Sequence, residues 1–431
     1  MVAPASAPVP AAAELAALAD AALLEAVQRQ TFGYFWEGAE PASALACDRR
    51  TRTDIANHKV ATGGSGFGVM ALIVAVERGW VSRAAALGRL ARMLGALQSA
   101  PRYHGALPHF LDGRSGETIP FSRRDDGGDL VETSFLCMGL LCARQYFDRD
   151  TPAESHLRAT VTALWEQVEW RWYTRGQPKL YWHWSPRHQW AIDHAIRGWN
   201  ECLITYVLAA AAPRDPIDAQ VYHEGFAAGA TFRNGNRYYG LELPLGVPYG
   251  GPLFFTHYSF CGLDPRGLRD RYADYWQQNV QHVRINHAHC VANPNHCAGY
   301  GESCWGLTAS DDPDGYVAHC PEVDNGTLSP TAALSSFPYD AALAMRTLRH
   351  FLDAHGARIW GRYGFVDAFC ETRGWYADTF LAIDQGPIVV MIENYRSALL
   401  WRLFMSVPEV RAGLRRLGFA SPHLDGELQG P

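Results

Sequence analysis

Apolar runs with helical spacing alternate along this chain with long connections rich in glycine, tryptophan, tyrosine, histidine and acids. Leu15, Leu18, Leu23, Val27, Phe32 and Phe35 fall on one helical face, which predicts a helix over 15–35. Similar spacing predicts helices over 69–78, 81–97 (Ser82 as cap), 129–147, 153–172, 201–212, 217–228, 269–291, 339–355 and 388–405. Strand signals are short and few, and 237–243 is the best hairpin candidate. Every second connection is long, as in 292–338, and a connection of that length is rarely idle. This asymmetry fits a closed ring of helical hairpins with function gathered on one rim. The expected fold is therefore all-α with a minor β-hairpin insertion. No linker divides the chain, so a single catalytic domain over 15–421 is expected, between a disordered arm at 1–14 and a frayed tail at 422–431.

Several classes are disfavoured. The net charge of −6 and the lack of a basic cluster argue against nucleic acid or an anionic membrane surface as partner. No apolar run approaches a membrane-spanning length. The start, 1–14, is Ala/Pro-rich without a basic region or long apolar core, so it does not read as a signal peptide. A cytoplasmic protein is expected, or a periplasmic one if a leader has been removed, as a monomer or weak homo-oligomer. Residues 62–68, Thr-Gly-Gly-Ser-Gly-Phe-Gly, lack the Lys-Ser/Thr ending of a P-loop and read as a close-packed loop leading into a helix. Ten scattered cysteines form no disulfide framework. His287, His289, Cys290, His296 and Cys297 are metal-ligating residue types, but no CxxC or HExxH spacing occurs, and they are expected to hydrogen-bond substrate or backbone. No cofactor or metal is expected.

The chemistry-bearing stretch is Asp125-Asp126-Gly127-Gly128-Asp129-Leu130-Val131-Glu132, with four carboxylates in eight residues at the mouth of a helix. Like charges so close raise one another's pKa, which supplies a protonated acid beside an ionised one. The bland reading is helix capping, Asp129 as cap with Glu132 three positions on. Glu201 and Asp384 also sit at helix entrances beside aromatics. Two carboxylates across a sugar-binding groove are the minimum for glycoside hydrolysis. The loop tryptophans, Trp184 and Trp375 among them, offer flat faces suited to sugar rings.

Ordered blocks carry a family resemblance. They are residues 30–36, Gln-Thr-Phe-Gly-Tyr-Phe-Trp; 77–80, Glu-Arg-Gly-Trp; His104-Gly105 with His109 to Asp112; Asp129 to Phe135; and Trp199-Asn200-Glu201. They continue with Gly299 to Asp311, Asp324 to Thr327, Ile383 to Pro387, and Glu393 to Arg396. In these the chain resembles the bacterial glucoamylase-like proteins that include the endo-β-1,2-glucanases of glycoside hydrolase family 144. It is also similar to the transglycosylase domain of cyclic β-1,2-glucan synthases. The resemblance implies an (α/α)6 barrel acting on β-1,2-glucan or its oligosaccharides, the sophorose series. It implies that Asp125, Asp129, Glu132 and Glu201 line the site, with Glu201 as general acid. The base is then Asp384 or one of the 125–132 acids. An inverting outcome requires acid and base roughly 6.5–9.5 Å apart. Substrate-binding candidates are Trp36, His104, His109, Trp184, Trp199, Tyr300, Glu302, Trp305, Asp311, Trp375 and Glu393. The alternatives are a retaining glucosyl transferase of the same fold, a non-catalytic glucan-binding protein and an α-glucan hydrolase.

Overall fold

The computed structural model describes residues 9–53 and 57–424. Its helices of seven or more residues are α1 (Asp20–Trp36), α2 (Thr62–Glu77), α3 (Arg83–Ser99), α4 (Leu130–Tyr146), α5 (Pro152–Glu166) and α6 (Leu203–Ala211). They continue with α7 (Tyr275–Ala292), α8 (Ala341–His350), α9 (Ala382–Ser397), α10 (Leu399–Met405) and α11 (Pro408–Arg416). Described strands are at most four residues long and pair in twos and threes, so the fold is helix-rich with no extended sheet among the described residues.

Half-exposed helices alternate with wholly buried ones. α1, α3, α5, α7 and α8 each bury one side. By contrast α2 is buried from Thr62 through Ala75, α4 from Leu130 through Arg144 and α6 throughout. The short helix Pro330–Leu334 is buried throughout as well. A helix apolar on all sides can be stable only inside such a second layer. The alternation is legible in the sequence: residues 69–76 and 203–211 have no polar face.

The loops leading into the buried helices are stitched to one another in order. Lys59–Ala61 pairs with Phe110–Asp112, and Gly128–Asp129 with His183–Trp184. Trp199 N–H donates to Thr231 C=O, and Leu253 N–H to Leu307 C=O. Thr327–Leu328 pairs with Phe369–Cys370, and Thr379–Leu381 returns to Arg49–Thr51. Backbone hydrogen bonds thus run from each loop to the next and back to the first, holding the mouths of the buried helices together.

Several expectations need correction. The glycine-rich 62–68 stretch is not a loop but the first two turns of α2. Its glycines are there for contact: a Cβ on Gly66 would lie 2.2 Å from the Phe135 carbonyl, and one on Gly139 2.1 Å from the Gly66 carbonyl. Removing both side chains lets α2 and α4 approach backbone to backbone. The last long helix begins at 382 rather than 388, with Pro387 inside it, and Ala382 N–H donates to Asp48 C=O at its start. The 15–35 run breaks at residues 17–19 into Ala12–Ala16 and α1. Residues 1–8 of the expected arm and 425–431 of the expected tail lie outside the described residues. Residues 9–14 are held at Pro10, whose C=O accepts Trp360 Nε1–H, and residues 422–424 are tied down by Arg415 to the Leu424 carbonyl. The long 292–338 connection carries a hairpin, Ala309–Asp312 with Gly315–Ala318, and the buried helix Pro330–Leu334. The 237–243 hairpin forms as expected.

Gly66→Ala should therefore lower stability by about 1–3 kcal/mol or prevent folding, because the added methyl meets backbone rather than a movable side chain. Gly88→Ala, on exposed α3 with nothing within 4 Å of its Cβ, should instead gain about 0.5–1 kcal/mol. Denaturant unfolding of the two variants checks the contrast, and a neutral Gly66→Ala would contradict the packing account.

Candidate active site

The acidic turn does cap α4. Asp129 Oδ1 accepts the Val131 and Glu132 N–H groups at 3.0 and 2.9 Å. Its Oδ2 faces His109 Nδ1 at 2.9 Å, so both oxygens are engaged. Glu132 does not turn back to close a capping box. Its Oε2 instead accepts Gly63 N–H at 2.7 Å, across the α2–α4 contact. The carboxylate is thereby held at the mouths of two helices at once.

Burial then acts against the helix dipoles, which favour the anion. Burial, with Asp129 adding, pushes Glu132 up to about 7, although charged His109 and Gly63 N–H pull it down. Burial and then Asp129 push Asp125 up to about 7. Glu201 lies in the turn just before α6, and burial with the fields of Asp129 and Glu132 pushes it up to about 7 as well. Burial opposes charge on His109, yet Glu132, the bond to Asp129 and the field of Asp125 outweigh it and raise the imidazole to about 9. Asp125 Oδ1 lies 3.1 Å from His183 Nε2, the nitrogen that also accepts Gly127 N–H at 3.3 Å.

A second acid group sits at the mouth of α9. Asp384, in its first turn, and Asp367 are both buried and next to each other. Burial and then the Asp367 charge hold Asp384 well above the usual carboxylate range, and burial with Asp311 raises Asp367 to about 7. Asp384 Oδ2 and Asp367 Oδ1 have no other donor, and one shared proton satisfies both. Asp311 N–H donates to Asp367 Oδ2 at 2.6 Å, while the Asp311 carboxylate takes Arg49 and the Thr379 hydroxyl. Tyr258 lies between the two groups: it feels the charges of both Asp384 and Glu201, and its hydroxyl is 3.5 Å from Asp384 Oδ1.

The structure places the other candidates as follows. Trp184 and His104 join Trp172 and Trp190 in an aromatic nest beside the acidic turn: the His104 ring stacks on Trp172 at 3.4 Å, and Trp184 meets it edge-on at 4.9 Å. Trp184 is tied to the turn by its strand pairing with Gly128. Trp375 is half-buried in the strand beside Phe369–Cys370, and Tyr300 donates to Asp324 at 2.7 Å. Four candidates belong elsewhere. Trp199 is core, among Phe226, Phe232, Phe260 and Tyr275, and Trp305 is fully buried. Trp36 is covered by the Arg89 guanidinium and by Phe32 in the outer layer. Glu302 is an exposed partner of Arg346. A fifth, Glu393, is a buried bidentate partner of Arg78. It lies some three turns from the mouth of α9, about 16 Å at 1.5 Å per residue, and serves the fold. The His287–Cys297 group does not converge on a metal site: His287 Nε2–H donates to the Glu302 carbonyl, and His289 is held between Tyr239 and Asp324. Residues two apart on a helix face different sides. Sequence reasoning missed Arg49, His183, Tyr258, Tyr316 and Asp367. Asp367 and His183 lie in short aromatic stretches, 365–369 and 181–184, whereas no local pattern near Arg49 signals its pairing with Asp311.

Comparison with known proteins decides the family. The model described as "putative glucoamylase" matches residues 193–408. A putative glucoamylase from Bacteroides uniformis, of known structure, is 53% identical, with a TM-score of 0.93 over 95% of this chain and 99% of that one. The chain belongs to the glucoamylase-like family. Within that family an endo-β-1,2-glucanase from Chitinophaga pinensis, solved with sophorotriose and glucose, is 51% identical with a TM-score of 0.92, covering 95% of this chain and all of that one, 100%. A relative from Parabacteroides distasonis, named exo β-1,2-glucooligosaccharide sophorohydrolase (non-reducing end), is 45% identical over 422 residues, 93% of this chain. This chain spans 58% of that relative's length.

Charged His109 stabilises the folded state. Its contribution should be fully present below the unfolded imidazole value of about 6.5 and lost as pH rises through the folded value of about 9. The unfolding free-energy gap between the native chain and His109→Gln should therefore narrow between those two pH values. A gap that stays constant over that window would contradict the assignment.

Proposed function

We propose that this chain is a glycoside hydrolase that cleaves β-1,2-linked glucan or its oligosaccharides, on an (α/α)6 barrel. The alternation of half-exposed and buried helices, together with the closed ring of loop hydrogen bonds, supports the barrel. The activities named for the relatives from Chitinophaga pinensis and Parabacteroides distasonis support the substrate class. The observation that carries the reaction is Glu201, a buried carboxyl kept protonated up to about pH 7 beside the fully engaged carboxylate of Asp129.

Glu201 is the general acid that protonates the leaving glycosidic oxygen. The Asp384–Asp367 pair, across Tyr258, is the general base: two acids sharing one proton retain one charge, and the ionised member takes a proton from the attacking water. Arg49, through Asp311, keeps that charge tolerable in a buried site. Asp129 and Glu132 set the field at Glu201, and Asp125 with His183 holds the wall between them and the aromatic nest. Trp184 with His104 on one side and half-exposed Tyr316 on the other offer faces for sugar rings. No cofactor enters this scheme. Water attacking opposite the departing oxygen inverts the anomeric centre.

Glu201→Gln keeps shape and removes the proton, and should cost about 10²–10⁴-fold in kcat with the fold intact. Product NMR should show the α anomer first from β-1,2-glucan, with no turnover of β-1,3-, β-1,4- or α-1,4-glucan. An initial β product would instead contradict inversion, and near-native turnover by Glu201→Gln would remove the proposed acid.

A further inference from the structure

Outside the two acid groups, Cys304, His350 and His355 bring one donor atom each, a sulfur and two ring nitrogens, within 4.8 Å of one another. Cys304 and His355 are buried and His350 is half-buried. Local winding produces this meeting. Five residues along a regular α-helix, a side chain points well away from its starting side. Here Phe351–His355 is wound as a π turn, whose i to i+5 bonding returns His355 toward His350, and the rings stand 5.5 Å apart. Single π turns of this kind are often found at functional sites.

His355 points to a ligand. It is 7% exposed, and its Nε2 has no hydrogen-bond partner. That nitrogen lies 3.3 Å from Glu371 Oε1 without hydrogen-bond geometry. Glu371 lies beside the cluster of Cys304, His350 and His355 rather than within it. Glu371 reaches this position only because residue 299 is glycine: a Cβ there would lie 1.7 Å from Oε1.

We propose that Cys304, His350 and His355 bind Zn²⁺. Thiolate and imidazole are zinc's usual donors, and three protein ligands leave the fourth tetrahedral position to water. On binding, the Cys304 S–H bond breaks, the S–Zn bond forms and the proton leaves to solvent, with no change of oxidation state. The ion joins the 299–304 segment to the end of α8. The connection it ties down also carries Asp311, so it would brace one wall of the acid site without entering the reaction.

The test uses the full chain without a histidine tag, stripped with a chelator and titrated with Co²⁺ or Zn²⁺ alone. One Co²⁺ per chain should bind with a thiolate-to-cobalt charge-transfer band and tetrahedral visible absorption. Zn²⁺ should displace it and raise the unfolding temperature. Cys304→Ser should lose the charge-transfer band. His350→Ala, at a half-exposed position that does not threaten folding, should lose tight uptake and decides the matter if Cys304→Ser does not fold. No uptake by the native chain above that of His350→Ala, or a band that survives Cys304→Ser, overturns the site.

Discussion

The hydrogen bond from Gly63 N–H to Glu132 is the contact on which the site depends. It exists only because α2 and α4 touch backbone to backbone through Gly66 and Gly139. With ordinary side chains there, the helices would stand apart and the carboxylate would face water. Close approach places the N-terminal ends of two buried helices side by side, and the ring of loop hydrogen bonds gathers the others around them.

That gathering creates an electrostatic conflict. Helix N-termini attract anions, but a buried carboxylate among carboxylates is costly in its charged form. The protein resolves the conflict in three ways. Asp129 is satisfied outright by two backbone N–H groups and His109. Glu201 and Asp125 hold their protons up to about pH 7. Burial holds Asp384 and Asp367 above the usual carboxylate range, with the Asp367 charge adding at Asp384 and Asp311 at Asp367. The same turn both caps α4 and raises the carboxyl of Glu201 through the fields of Asp129 and Glu132.

The sequence made the helical alternation and the acidic mouths legible because both are local patterns. Ser82, Asp129 and the 237–243 hairpin follow from local rules, and the structure keeps them. Contacts between distant segments were not legible. The glycines at 62–68 looked like a loop because their purpose is a partner helix some seventy residues away. Trp199, Trp305 and Glu393 lie in the blocks that carry the family resemblance, but their neighbours show core and salt-bridge roles. Asp367 and Arg49 join the site through pairing between the first and last connections, which no local pattern reveals. The meeting of Cys304 with His350 and His355 depends on a π turn, to which helical periodicity is blind.

The central claim is that Glu201 stays a neutral acid up to about pH 7 beside Asp129, whose oxygens are taken by Val131 N–H, Glu132 N–H and His109. The most direct measurement is carboxyl titration of Glu201 itself, by infrared or carbon-13 NMR difference between the native chain and Glu201→Gln. A midpoint near 7 is expected from its burial and from the fields of Asp129 and Glu132. A midpoint near the ordinary glutamate value of about 4.3 would contradict the account, since Glu201 would then reach neutral pH with no proton to give.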